Sequence, residues 1–201
     1  MAESAGAMIS LPEARERVVV YYESGKYENV VEQSTEAVAQ TAIKAIGEKV
    51  KFPAVVMVVE DVLLSTYKAR KKQDFSGNAA AKTDLENHVI LSALPPIKPS
   101  VELMDTLLQR NIPVFLVSYR PENIRVPVIE NLSKAGISGW TKLFMLPPNY
   151  PKNKSFCEEV RKGLQVSGYN IIATLGVLPE DVIGKPAGRA VLLPNYIYSK
   201  R

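Results

Sequence analysis

The chain predicts a three-layer α/β fold, a parallel sheet with helices on both faces. Three observations lead there. Short runs of Val, Ile, Leu and Met recur at 54–59, 112–117, 142–146, 171–175 and 190–193 of the 201 residues. They are apolar at nearly every position, as strands covered on both faces are. Helix-period segments alternate with most of these runs, the pattern of a parallel sheet built from crossovers. The first run, Val55-Val56-Met57-Val58-Val59, leads straight into Glu60-Asp61. Ligands of open parallel sheets bind beyond the carboxyl ends of the strands, so these acids mark the chemical edge.

Residues 1–26 read as an irregular lead-in and 27–201 as one domain. From Glu28 to Ile46, the residues Val31, Val38, Ala42 and Ala45 recur at spacings of seven, four and three and predict a helix ending at Gly47. Residues 66–95 follow strand 54–59 with weak periodicity and predict a loop or small cap insertion over the strand ends. Pro99-Ser100 announces a helix with Ser100 as N-cap and Val101, Met104, Leu107 and Leu108 buried; Asn111 closes it in the left-handed conformation. After strand 112–117 comes the loop Ser118-Tyr119-Arg120-Pro121-Glu122. A helix ending at Gly136 then presents Val126, Ile129 and Leu132, with Pro127 in its first turn or kinking it. Strand Lys142 to Leu146 closes at Pro147-Pro148. Ser155-Phe156-Cys157-Glu158 has the form of a capping box, heading a helix that buries Phe156, Val160 and Leu164 and stops at Gly168.

Composition narrows the function classes. Hydrophobic residues at 46% and charged residues at 23% fit a chain with a packed core and exclude a disordered one. The net charge of +4 is dispersed apart from Lys68-Ala69-Arg70-Lys71-Lys72. No aromatic residues interleave that run, so a solvated loop is expected and a nucleic-acid partner is not. The single cysteine, Cys157, allows no intrachain disulfide, and His88, the single histidine, has no ligand set around it. No stretch approaches 18 apolar residues, and residues 1–8 lack the basic start and apolar run of a signal peptide. A cytoplasmic protein is expected, or an organellar one after transit-peptide removal.

Several stretches, taken in order, carry a family resemblance. They are Tyr21-Tyr22-Glu23-Ser24-Gly25-Lys26-Tyr27, Ala54-Val55-Val56 leading to Leu63-Leu64-Ser65, and Val117-Ser118-Tyr119-Arg120-Pro121-Glu122. Glu130-Asn131-Leu132 with Ala135-Gly136, Gly139-Trp140, and Gly168-Tyr169 ahead of Gly176 complete the set. Over about residues 20–197 the chain resembles the haloacid dehalogenase (HAD) superfamily, class III (subfamily IIIB) acid phosphatases, with the plant vegetative storage proteins. The resemblance implies a HAD-like, Rossmann-type fold with a small cap, and phosphoryl transfer through an aspartyl-phosphate. One Asp attacks phosphorus, a second protonates the leaving oxygen, and Mg²⁺ lies between the first Asp and a later one.

Carried over by position, the resemblance puts Val58 at the nucleophile, Glu60 at the general acid and Val62 at the motif threonine. Ser118, Arg120 and Lys154 become phosphate-binding candidates, although spacing from Gly168-Tyr169 points to Cys157 for the lysine position. Val177 takes the place of a metal-binding Asp, and Asp181 keeps the second acid of that motif. Valine offers phosphorus no lone pair, and a hard cation needs oxygen ligands. The expectation is therefore a catalytically degenerate protein with no metal. Its role would be binding, storage or membership of a larger assembly with an unknown protein partner. A Mg²⁺-dependent phosphatase of small phosphomonoesters is the alternative. Glu60-Asp61 reads as a residual cation site or a solvated pair capping the next helix. Ser118 and Arg120 read as an anion site or a loop hydroxyl and a surface ion pair. Glu180-Asp181 reads as a helix-start charge pair, Trp140 as a core anchor, and Pro194-Asn195-Tyr196-Ile197-Tyr198 as a tail against the sheet edge.

Overall fold

β1 (Pro53–Val58) is the middle strand of a five-stranded sheet. Beside it lie β2 (Val114–Pro121) and then β3 (Lys142–Leu146) on one side, β4 (Asn170–Gly176) and then β5 (Arg189–Leu192) on the other. All four pairings are parallel. The computed structural model describes residues 9–91, 94–151 and 154–198. Val55, Val56, Met57 and Val58 have no exposed surface, nor do Leu116 and Val117 of β2. Consecutive burial requires cover on both faces, which is why the strands read so plainly in the sequence. The chain moves outward from β1 to β3, then crosses back to β4, so the topological switch point falls at the carboxyl end of β1.

α2 (Lys26–Gly47) buries Val31, Thr35, Val38, Ala42 and Ala45, as the periodicity predicts, and packs on α5 (Lys98–Gln109) and on β1, β4 and β5. α7 (Phe156–Val166) packs on β2 and β4 and buries Phe156, Val160 and Leu164. Asn111, at φ 57°, is left-handed as expected. Trp140 packs half-buried against the core.

Five expectations are corrected. The lead-in 1–26 contains α1 (Leu11–Glu23), whose first turn is capped by Ser10; it buries no residue, so it leaves no apolar stripe to read. The loop reading of 66–95 is corrected: among its described residues the segment carries α3 (Tyr67–Lys71) and α4 (Ala79–Ile90), and α4 is capped by Asn78 and buries only Ala81, Leu85 and Val89. α5 starts three residues early, at Lys98, so Ser100 lies inside its first turn, fully buried, and Ile97 holds the N-cap position.

α6 (Arg125–Lys134) has Pro127 in its first turn but buries Val128, Asn131 and Leu132, leaving Val126 64% exposed. The helix is turned this way because Asn131 is held inward: its amide nitrogen donates to the Leu94 carbonyl at 2.7 Å, and its oxygen accepts from the Leu94 N–H at 3.1 Å. Finally, half of the capping box forms. The Glu158 N–H donates to Ser155 Oγ at 3.0 Å, while the Glu158 carboxylate pairs with Lys162 at 2.7 Å instead of reaching back.

Candidate functional site

Beyond the end of β1 the chain folds into a tight loop. The Leu63 and Leu64 N–H groups both donate to the Val59 carbonyl, and the Asp61 N–H donates to the Leu64 carbonyl. Asp61 adopts φ 58°, an uncommon conformation for a residue with a side chain but one that Asp tolerates. The loop aims Glu60 and Asp61 into a cavity of about 540 Å³. Thr66 and Arg70 of the α3 segment form one wall, and Lys82 and Leu85 of α4 another. Tyr119 and Arg120 enter from β2, and Tyr198 from the carboxyl-terminal tail.

Both acids are 7% exposed, so the solvated strand-end pair of the sequence reading is corrected to a buried pair. Asp61 Oδ1 accepts from the Thr66 N–H at 2.6 Å, at the start of α3. Asp61 Oδ2 accepts from the Thr66 hydroxyl at 2.7 Å and the Tyr198 hydroxyl at 2.8 Å. Arg70 donates to Thr66 Oγ1 at 3.0 Å and lies 4.2 Å from the centre of the Tyr198 ring. Glu60 turns the other way. It accepts from the Ser118 hydroxyl at 2.6 Å and the Tyr119 N–H at 3.3 Å, with Arg120 Nε at 3.8 Å.

The tail runs over the carboxyl edge of the sheet, not along its side. Tyr196 meets Tyr21 edge-on at 4.8 Å, and the Tyr22 hydroxyl donates to the Pro194 carbonyl at 3.4 Å. Tyr22 stacks on Tyr67 at 4.7 Å and on Tyr27 at 4.5 Å. The basic run 68–72 thus acquires the aromatic neighbours that its own sequence lacks, though their faces are turned on one another. Burial first, and then the Asp61 charge, push the Tyr22 and Tyr27 phenols well above the usual tyrosine range.

The structure brings Glu60, Asp61, Ser118 and Arg120 together. Other candidates lie apart. Val58 is sealed inside β1, and Val177 is 3% exposed at the end of β4. Asp181, in the short α8 (Pro179–Val182), is fully buried and accepts from the Val177 and Leu178 N–H groups at 2.9 Å each. Lys154 stands in solvent, 3.6 Å from Glu159. Cys157 is fully buried, with Arg161 Nη1 at 3.3 Å from its sulfur. His88 sits on α4, its Nδ1 2.8 Å from the Asp84 carbonyl. Sequence reasoning missed Thr66, Arg70, Lys82 and Tyr198. The three earlier ones lie in the segment read as a loop, and nothing local to Tyr198 signals that it folds back 137 residues to Asp61.

A central β1 ending in acids at a switch point, under a helical cap, defines a HAD-like α/β protein. The class C acid phosphatase from Bacillus anthracis shares the fold, with a TM-score of 0.76 at 15% identity over 94% of this chain and 85% of that one. The model of the HAD superfamily, subfamily IIIB (acid phosphatase), matches residues 5–201, and the chain belongs to that family. Vegetative storage protein 1 of Arabidopsis thaliana is 30% identical over 106 residues, 52% of this chain and 39% of that protein. Acid phosphatase 1 of Solanum lycopersicum is 25% identical over 143 residues, 70% of this chain and 56% of that protein. The chain spans 39% and 41% of the length of the two Arabidopsis vegetative storage proteins that it matches. Among the described residues no helix is long and apolar enough to cross a membrane.

Proposed function

We propose that this protein is a catalytically degenerate member of its family, with a non-enzymatic role in binding, storage or a larger assembly. One observation carries the reading. The positions that the resemblance implies for the nucleophile and for a metal carboxylate hold Val58 and Val177, both buried. The acids left nearby are engaged within the chain: Glu60 by Ser118 and Tyr119, Asp61 by Thr66 and Tyr198, Asp181 by the backbone of its own loop.

A reading without Mg²⁺ is supported by the donors that already occupy the acids, since Mg²⁺ needs free oxygen ligands and Glu60, Asp61 and Asp181 each accept hydrogen bonds from the chain. Among the described residues no three His, Cys, Asp or Glu side chains gather as an ion site. A nucleic-acid role is not part of this reading, since Lys71 lies 2.5 Å from Glu23 and Arg70 lies over Tyr198. A protein partner and a cytoplasmic or organellar setting complete it.

The test is release of phosphate from a generic aryl phosphate with added Mg²⁺. The natural chain is expected to give none, and the double variant Val58→Asp, Val177→Asp is expected to gain turnover if the positional assignment is right. The rival reading, a Mg²⁺-dependent phosphatase, draws on Glu60 lying beside Ser118 and Arg120 at the cavity. Turnover by the natural chain that Glu60→Gln or Asp61→Asn abolishes would establish that rival.

A further inference from the structure

Three consecutive residues at the end of β2 aim donors at one point. Ser118 contributes a hydroxyl, Tyr119 a backbone N–H and Arg120 a guanidinium, at 2.6, 3.3 and 3.8 Å from the Glu60 carboxylate. The proton on Ser118 has a fixed direction. Its Oγ accepts from the Arg120 N–H at 3.2 Å, which leaves the hydroxyl free to donate to Glu60. A hydroxyl, a backbone N–H and a guanidinium converging in a buried corner form a donor set for an oxyanion. Ser118 has no exposed surface and does not line the cavity, whereas Glu60, Tyr119 and Arg120 all line it, so the Glu60 carboxylate is held at the cavity wall with the Ser118 hydroxyl behind it.

We propose that the Glu60 side chain is a built-in ligand: its carboxylate occupies an oxyanion site and keeps inorganic phosphate and similar anions out of the natural protein. Tethered two residues beyond the end of β1, the carboxylate is present at an effective concentration that a free anion cannot match. A second anion beside it would meet a like charge in a poorly hydrated corner, where repulsion is strong. Removing the Glu60 side chain frees all three donors and opens their corner to the cavity, which Arg70 and Lys82 also line. The vacated site takes a tetrahedral oxyanion. The inference deepens the non-enzymatic reading above, but it is measured by binding and not by turnover.

Calorimetric titration with inorganic phosphate, without metal, tests it. The natural chain is expected to show no saturable binding at millimolar phosphate. Glu60→Ala is expected to bind at least about tenfold more tightly, the scale of one additional charge-assisted hydrogen bond, and Ser118→Ala added to it is expected to remove the gain. Glu60→Ser, whose hydroxyl is too short to reach Ser118 Oγ, serves if the alanine variant does not fold. Saturable binding by the natural chain that Ser118→Ala removes overturns the proposal whatever the variants do, and so does a folded Glu60 variant that gains nothing. Aryl phosphate turnover by the natural chain would instead sink the non-enzymatic reading, so the two failures are distinguishable.

Discussion

Arg161 shows how a charged side chain can hold a fold together. It has no exposed surface. Its guanidinium donates to the carbonyls of Pro186, Asp181 and Ile183, tying α7 to the loop that follows β4. Carbonyl dipoles replace the water that a buried cation loses. Arg161→Met keeps the bulk but strands three carbonyls, and we expect a loss of about 3 kcal/mol or more in urea unfolding. The same loop depends on Gly176. A Cβ there would stand 2.2 Å from the Asp181 Cβ, so Gly176→Ala forces the Asp181 turn aside. A drop in the urea midpoint comparable to that of Arg161→Met is expected. At this scale the sequence named the acids but not their directions. Glu60-Asp61 read as a strand-end pair and Asp181 as half of a helix-start pair, yet each of the three faces different donors, because only the folded backbone decides which N–H groups converge where.

The cap and tail hold one another at the scale of elements. Tyr198 joins them through its hydroxyl on Asp61 and its ring under Arg70. Tyr198→Phe removes one hydrogen bond to a carboxylate and keeps the ring, so a cost of about 1–2 kcal/mol is expected. Tyr198→Ala should cost more and speed hydrogen exchange in α3; equal effects of the two variants would show that the ring contact contributes nothing. The strands were legible, β3 at both ends and the others to within four residues, because burial on both faces writes an apolar run. α1 and the cap helices were not. α1 buries nothing, and α4 rests on Ala81, Leu85 and Val89 amid polar residues, so neither writes a helical stripe.

The tyrosine cluster sets the behaviour of the whole molecule at high pH. Burial, and then Asp61, raise the phenols of Tyr22 and Tyr27; burial, and then a hydrogen bond to Glu23, raise that of Tyr67. A raised folded value means that the phenol ionises more readily in the unfolded chain. The contribution is fully present below the unfolded value of about 10 and is lost as pH climbs from there towards the folded values. Of the nine tyrosines, these three are expected to resist ionisation until the chain opens. Tyrosinate absorbance should then rise together with the loss of far-ultraviolet circular dichroism. Ionisation of all nine in one early step, with the fold intact, would contradict this.

By itself the sequence determined the layered parallel sheet, the acidic edge after its first strand and the valines at two implied catalytic positions. Those follow from local hydrophobicity and residue type, which the chain carries whatever its folded state. Only the tertiary structure decided that Glu60 turns onto Ser118 while its neighbour Asp61 meets Tyr198, and that the tail closes over the carboxyl edge. Those contacts join residues 58 and 137 positions apart, and no local pattern records a meeting that distant.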